Sequence, residues 1–193
     1  MTGCLRFASA EMARGLTEFD AAPWLINFQN GTMDLRTLQL RAHQSTDLIT
    51  RISPVEYDPT PHDPVWEQFL VTTLPDPEMR RTFQAFMGSC LTGLCRDKAV
   101  LIPFGESDTG KSTAVEPCVR VLGSVDEGGY AASWPSDVVE RSRQINLEEK
   151  KAQVRAARLV VIGELTRGSR FNDGFVKSYS GGDTVSAKAL YKG

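Results

Sequence analysis

Hydrophobic and polar positions alternate in four short stretches within the N-terminal third of the chain. The stretches lie at residues 24–28, 32–35, 38–42 and 48–52. Alternation with a period of two is typical of strands with one buried face, so each stretch predicts a short strand. Gln29-Asn30-Gly31, between the first two, is a turn sequence and predicts a hairpin. Residues 1–60 are therefore predicted to form a small mixed α+β domain.

Helical periodicity replaces this alternation after residue 60. Asp63-Pro64 and Asp76-Pro77 each resemble an N-cap followed by proline at the first helical position. The second of these starts precedes an apolar stripe at helical spacing, formed by Met79, Phe83, Phe86, Met87 and Leu91. Packing against a neighbouring element explains the stripe better than a cofactor does. Residues 61–95 are predicted to be a helical connector.

From residue 96 onward the pattern is typical of an α/β protein. Residues 99–104 are a short apolar run that predicts a buried parallel strand. Residues 112–122 predict a helix closed by Gly123, although Pro117 should kink or loosen its second turn. Residues 159–162, Leu-Val-Val-Ile, predict a central parallel strand. Residues 96–193 are therefore predicted to form an α/β core.

Composition narrows the classes of partner. The chain has 193 residues, 41% hydrophobic and 24% charged, with a formal net charge of −2, so any contact with nucleic acid must be local. No apolar run approaches the roughly 18 residues that a membrane span needs, and the N-terminus does not resemble a signal peptide. A zinc site is not expected from the dispersed cysteines and histidines, which are Cys4, Cys90, Cys95, Cys118, His43 and His62. Reduced cysteines in a cytosolic protein are the expected state.

A phosphate-binding pattern, G-x-x-x-x-G-K-S/T, lies between the predicted strand and helix. Its residues are Gly105, Glu106, Ser107, Asp108, Thr109, Gly110, Lys111, Ser112 and Thr113. The glycines allow the loop amides to turn around phosphate oxygens, and the following helix presents its N-terminus to the same anion. Lys111 would reach the β- and γ-phosphates of ATP, and the Ser112 hydroxyl would bind Mg²⁺. The alternative is a chance glycine turn, but the order of strand, loop and helix favours nucleotide binding.

Glu164 follows the second predicted strand and is a candidate catalytic and metal-binding residue. In motors with a phosphate loop, an acid at this place holds Mg²⁺ or orients the attacking water. The alternative is a solvated glutamate at a strand end. Because the strand follows the loop at a workable distance, the sequence favours a functional acid together with Lys111.

Several segments in order resemble the phage and plasmid primase–helicase family, whose motor belongs to the superfamily III helicases. They lie at residues 19–27, 30–36, 48–57, 88–93, 105–113, 158–164, 171–173 and 176–192. The resemblance implies an AAA+-like P-loop NTPase core, here incomplete, preceded by the small mixed domain and the helical segment. It implies ATP and Mg²⁺ as cofactors and single-stranded DNA as a partner. It also implies a hexameric homo-oligomeric ring and a place in the cytoplasm of a bacterial host.

The resemblance further implies a hairpin that faces DNA in the last segment, where Lys177, Lys188 and Lys192 are the candidate contacts. Lys188 stands where the family usually has an arginine, which keeps the charge but loses bidentate geometry. Three solvated lysines near a free end are the alternative. The chain stops at Gly193, ahead of the family's sensor asparagine and arginine finger, so we expect a motor cut short that lacks the arginine needed for fast hydrolysis.

Three functions compete on the sequence. The first is the ATPase module of a replicative helicase, which couples hydrolysis to translocation along DNA. The second is a catalytically silent nucleotide-binding or interaction module of a split motor. The third is a small-molecule kinase with a phosphate loop, for which Arg141 and Arg143 are the only dense arginine candidates. DNA-stimulated ATP turnover separates the first from the others, and phosphoryl transfer to a small acceptor would mark the third.

Overall fold

The computed structural model describes three long stretches of the chain, residues 17–94, 98–136 and 156–164. It also describes the single residues Gly15, Val139, Val154, Gly168, Arg170, Asn172, Gly174 and Lys177. The architecture of these residues is mixed α/β with two small sheets, which confirms the coarse part of the predicted fold class. Predicted features that lie outside the described residues are Lys188, Lys192, Arg141, Arg143, Cys4 and Cys95.

The first sheet has three antiparallel strands, β1 (Leu25–Phe28), β2 (Gly31–Asp34) and β3 (Gln39–Arg41). Phe28 lies opposite Gly31 in the register, so the turn between β1 and β2 is formed by two residues, Gln29 and Asn30. A turn this short closes the hairpin between neighbouring segments at little entropic cost. The three strands predicted here are confirmed.

The fourth predicted strand, at residues 48–52, is wrong. The Thr50 N–H and hydroxyl donate to the carboxylate of Asp20 at 2.7 and 2.6 Å, and the Ile52 N–H donates to the carbonyl of Gly128 at 2.9 Å. Leu48 has a left-handed φ of 51°. Contacts with a side chain and with a distant loop therefore take the backbone donors that a strand would give to a neighbour.

Two helices follow, α1 (Pro64–Thr73) and α2 (Pro77–Ser89). Both begin as the sequence predicts, with an aspartate cap and a proline in the first turn. The Asp63 carboxylate accepts from the N–H groups of Val65 and Trp66 at 3.0 and 3.2 Å. The Asp76 carboxylate accepts from the Glu78 N–H at 2.8 Å. These caps fix where each helix starts.

The strand predicted at residues 99–104 is wrong. The segment is irregular, and no strand pairing among the described residues includes it. Ile102 is 57% exposed and Phe104 is 93% exposed. A strand needs a neighbour to take its backbone hydrogen bonds, and the apolar composition of this segment does not supply one.

The helix after the phosphate pattern is confirmed as α3 (Lys111–Leu122), which ends at Gly123 and continues through Pro117. The second sheet pairs β4 (Ala131–Trp134) in parallel with β5 (Leu159–Ile162). The predicted strand at residues 159–162 is therefore confirmed, whereas β4 was not predicted. Within the described residues β5 has one strand neighbour rather than the two of a central strand.

One hydrophobic cluster joins the two sheets. From the first sheet it takes Ile26, Phe28 and Met33; from the second half of the chain it takes Leu122, Tyr130, Ala131 and Leu159. Burial of these side chains is the main force that holds the hairpin against α3, β4 and β5. Among the described residues no helix is long and apolar enough to cross a membrane. The full ATPase core and the boundaries near residues 60 and 95 stay predictions.

Candidate functional site

The candidate site is the loop at residues 105–113, which joins the irregular segment to α3. Gly105 and Gly110 have φ angles of 152° and 83°, and a Cβ disfavours both conformations. Asp108, between them, is also left-handed, with a φ of 59°. The loop therefore has the sharply turned backbone that can direct successive N–H groups toward one point.

The ammonium group of Lys111 lies within this loop. It donates to the carbonyl of Gly105 at 3.1 Å and to the hydroxyl of Thr109 at 3.1 Å, and it also contacts the carbonyl of Glu106. The Thr109 hydroxyl in turn donates to the Glu106 carbonyl at 2.9 Å. A cation is thus held at the centre of the loop by neutral oxygens. Phosphate oxygens, which are charged, would be stronger partners for it.

The loop leads directly into the N-terminus of α3, which begins at Lys111. The backbone N–H groups of residues 105–110 donate to no other described residue. The side chain of Ser112 lies in the first turn of α3 and is exposed. N–H groups without a partner among the described residues and the positive end of α3 both favour an anion, and Ser112 is accessible to a metal that accompanies it.

Helix α1 packs directly on the loop, a contact that the sequence did not predict. A Cβ placed on Gly110 would lie 3.0 Å from the Thr73 hydroxyl and 3.2 Å from the ring of Phe69. Beside this contact an open groove of about 960 Å³ runs between α1 and residues 108–110. The small size of Gly110 therefore serves both the backbone conformation and the approach of α1.

Glu164 lies two residues beyond the end of β5 and is exposed. The N–H of Gly163 donates to the carbonyl of Trp134 at 2.9 Å, which continues the parallel pairing one residue past the strands. Within the described part of the chain Glu164 forms no hydrogen bond or ion pair. The structure thus places Glu164 at the carboxyl end of a parallel strand, where ligands of α/β proteins bind, and shows no contact with the loop.

Of the three predicted DNA contacts, the structure describes Lys177. Lys177 is exposed, as a residue that binds a phosphate backbone must be. Lys188 and Lys192 lie outside the described residues.

Sequence reasoning missed Arg158, whose guanidinium reaches the carbonyl of Leu25 across the junction of the two sheets. An arginine next to a strand is most often a solvated flanking residue, so its sequence position carries no signal. It missed Phe69 and Thr73 for a similar reason, because a helix start fixes which residues are helical but not what the helix packs against.

Comparison with known proteins gives three matches. Residues 1–75 match a protein-family model described as "D5 N terminal like". A mimivirus protein (Acanthamoeba polyphaga mimivirus) named "Putative helicase L207/L206" is 27% identical over 185 residues, 92% of this chain and 18% of that protein. "Putative helicase 121R" of Invertebrate iridescent virus 3 is 25% identical over 180 residues, 90% of this chain and 19% of that protein. The chain thus spans less than a fifth of the length of each relative.

Proposed function

Because these comparisons support a phage and viral primase–helicase family for the chain, we propose that it is the ATP-binding module of such a replicative helicase. The module binds Mg²⁺·ATP on the loop at residues 105–113. In the assembled protein, a hexameric ring of subunits couples hydrolysis to translocation along single-stranded DNA. Residues 1–75, which match the D5 model, form the segment that precedes the motor.

The observation that carries this proposal is the loop itself. Residues 105–111 bring together a lysine ammonium, backbone N–H groups that donate to no described residue and the start of α3. Each of these groups prefers a negative charge. A triphosphate supplies the charge and the several oxygens needed to satisfy them together.

The proposed chemistry assigns a role to each of these groups. Lys111 leaves the carbonyls of Gly105 and Glu106 and binds the β- and γ-phosphates. The Ser112 hydroxyl would hold Mg²⁺ together with the phosphates, since Mg²⁺ sites combine few protein ligands with substrate oxygens. Among the described residues no three His, Cys, Asp or Glu side chains group as a metal site, which fits a metal that arrives with the nucleotide. Glu164 completes the site as a metal ligand or orients the attacking water.

Lys111→Ala tests the binding step. Removal of a charged hydrogen-bond donor should weaken the binding of a slowly hydrolysed ATP analogue by about 10- to 100-fold in calorimetry. Lys177→Ala is the matched control, because it removes a lysine outside the loop and should leave the affinity unchanged. Equal affinity in wild type and Lys111→Ala would refute the proposal.

Glu164→Gln separates chemistry from binding. The variant keeps the shape of the side chain but loses its charge, so ATP should stay bound while turnover falls. The assay uses the assembled full-length protein with DNA, where turnover is expected. Loss of binding and turnover in equal proportion would make Glu164 a structural acid.

Lys177, Lys188 and Lys192 are the proposed phosphate contacts of the translocating strand. Binding through phosphates is independent of sequence and weakens with salt. Replacement of Lys188 and Lys192 together should reduce the log–log salt slope of the assembled ring by up to about 2. A ring with the wild-type slope would show that these lysines do not touch the strand.

A catalytically silent nucleotide-binding module is the second candidate. The observation that favours it is that Glu164 makes no contact with the loop in the described part of the chain. DNA-stimulated ATP turnover decides between the two. Stimulated turnover that is lost in Lys111→Ala identifies the motor, and tight ATP binding without turnover in the assembled protein identifies the silent module.

A further inference from the structure

Arg158 lies where three parts of the chain meet. It immediately precedes β5, and its N–H donates to the carbonyl of Tyr130 at 2.7 Å, next to the start of β4. Its side chain crosses to the first sheet and donates to the carbonyl of Leu25, in β1, at 2.5 Å. The other terminal nitrogen of the guanidinium donates to the carbonyl of Leu91, in the turn after α2. One side chain therefore joins β1, the end of the helical connector and the start of β5.

The guanidinium also lies over an aromatic ring. Its Cζ is 4.7 Å from the centroid of Tyr130, within the range of a cation–π interaction. The ring is itself fixed, because the Tyr130 hydroxyl accepts from the N–H of Asn27 at 3.1 Å and donates to the carbonyl of Arg51 at 2.9 Å. Both contacts are with the N-terminal segment, so Tyr130 and Arg158 connect the same two regions.

Among the described residues, the partners of the Arg158 guanidinium are carbonyl dipoles and an aromatic ring. Arg158 forms no ion pair with a described residue, and Asp20, the nearby carboxylate, is bound by Thr50. Burial lowers the pKa of the Arg158 guanidinium, and electrostatic interactions with Tyr130 and Asp20 oppose that shift. A partly buried cation that stays charged beside two carbonyls and a ring depends on the geometry of those contacts.

That geometry requires a guanidinium. Its planar fork places two nitrogens on carbonyls from two different segments while its face lies on the Tyr130 ring. A lysine ammonium carries the same charge on one atom and cannot hold both carbonyls from one position. Arg158→Lys therefore removes the bridge without removing the charge.

Strand β5 is also held by Leu159, which lies in the shared hydrophobic cluster, and by its pairing with β4. Its described sheet neighbour is β4, with four residue pairs, and a two-stranded pair is marginally stable alone. At its far end the Gly163 N–H bonds to Trp134, and Glu164 follows. Arg158 fixes the start of a short rigid strand whose other end carries the candidate catalytic acid.

We propose that Arg158 is a positioning residue, through which the N-terminal sheet holds β5 in place and thereby sets where Glu164 stands relative to the phosphate loop. The inference rests on the proposed function, because Glu164 is its target. It means that residues 1–75, which match the D5 model, influence metal and nucleotide binding at the far end of β5 through Arg158.

A double-mutant cycle between Arg158 and Glu164 tests this coupling. The quantity measured is the gain in affinity for an ATP analogue when Mg²⁺ is added, compared with the affinity in chelator. Arg158→Lys should reduce this gain by about three- to tenfold, a size typical of linked residues, and leave the metal-free affinity unchanged. In the Glu164→Gln background, Arg158→Lys should have no further effect.

Arg51→Lys is the matched control. Arg51 also joins the N-terminal segment to the second half of the chain, by donating to the carbonyl of Val125 at 2.6 Å, and none of its described contacts is with β5. It should leave the Mg²⁺-dependent gain unchanged. An equal effect of Arg51→Lys, an effect of Arg158→Lys that persists in Glu164→Gln, or no effect at all would overturn the proposal. Unchanged nucleotide affinity in Lys111→Ala would instead refute the proposed function.

Amide hydrogen exchange provides a readout without nucleotide. Arg158→Lys should speed exchange at residues 160–163 relative to residues 25–34, and Arg51→Lys should not. Arg158→Gln, which keeps a planar donor without charge, serves in its place if the lysine variant does not fold. If neither variant folds, Arg158 is a general core residue, and the positioning role is overturned.

Discussion

Two segments of the chain are both rich in apolar residues, but they adopt different structures. Residues 25–28 form β1, in which Ile26 is 0% exposed. Residues 99–104 were predicted to form a strand from a continuous apolar run, yet they are irregular, with Ile102 57% exposed. The two segments differ in whether a neighbouring strand is available to pair with them. The partner of β1 follows after a two-residue turn, whereas no described strand lies beside residues 99–104.

The comparison shows what an apolar pattern can and cannot predict. A strand next to a tight turn finds its partner locally, so pattern and turn together determine it. A parallel strand depends on a segment far along the chain, which its own sequence does not identify. The phosphate loop therefore stands at the end of an exposed segment, while the hairpin is buried in the shared core.

The largest expected effect comes from a matched pair of isoleucine substitutions. Ile26→Ala should lower the free energy of unfolding by about 2–5 kcal/mol, because it empties a fully buried site. Ile102→Ala should change it by less than about 0.5 kcal/mol, as a surface substitution does. Denaturant unfolding of both variants measures the contrast. Similar losses would show that residues 99–104 are packed like β1.

Tyr130 provides a second test of how firmly the buried hairpin is held, because it connects the hairpin to the second sheet. Tyr130→Phe keeps the ring but leaves the Asn27 N–H and the Arg51 carbonyl without their partner. The expected cost is about 1–3 kcal/mol of unfolding free energy. If denaturant titration shows almost no loss of unfolding free energy, water replaces the hydroxyl, and the contact between the hairpin and the second sheet is accessible to solvent.

Tyr130 should also make the stability of the folded protein depend on pH. Burial raises the pKa of the Tyr130 hydroxyl, an effect that its bond with Asn27 partly offsets. Above about pH 10 a tyrosine in the unfolded chain loses its proton while Tyr130 in the folded chain keeps it. The unfolded state then binds fewer protons, so stability falls as pH rises toward the folded pKa. Thermal unfolding between pH 9 and 11 should show a shallower slope in Tyr130→Phe; equal slopes would contradict this assignment.

The smallest expected effect concerns the helix that packs on the phosphate loop. Asp63→Ala and Asp76→Ala each remove one helix cap and should each cost about 1 kcal/mol of stability. Asp63→Ala should also weaken the affinity for an ATP analogue, by up to about threefold, because α1 contacts Gly110. Asp76→Ala should not. Equal nucleotide affinities, measured by calorimetry, would show that α1 does not support the loop.

Local signals in the sequence predicted much of the fold. The hairpin, β3, the aspartate starts of α1 and α2, helix α3 and strand β5 are confirmed. Each depends on a turn, a cap or a run that lies within its own segment. The predicted resemblance to primase–helicases is confirmed by the D5 match and the two viral relatives.

The remaining features depend on contacts between distant segments. Residues 48–52 do not form the predicted strand, because their N–H groups donate to Asp20 and to the carbonyl of Gly128 instead. Strand β4, the packing of α1 on Gly110 and the bridge formed by Arg158 all join parts of the chain that are far apart in sequence. Periodicity describes one segment at a time, so it cannot show which of two distant segments becomes its neighbour.

The central claim is that the loop at residues 105–113 binds the phosphates of a nucleotide. The most direct measurement is the change in backbone amide chemical shifts when Mg²⁺ and a slowly hydrolysed ATP analogue are added. The amides of residues 105–113 should show the largest changes, those of residues 25–34 should stay in place, and Lys111→Ala should move the midpoint of the titration to a ligand concentration about 10- to 100-fold higher. Saturating ligand that leaves the loop amides unshifted, or that shifts another region instead, would contradict the claim.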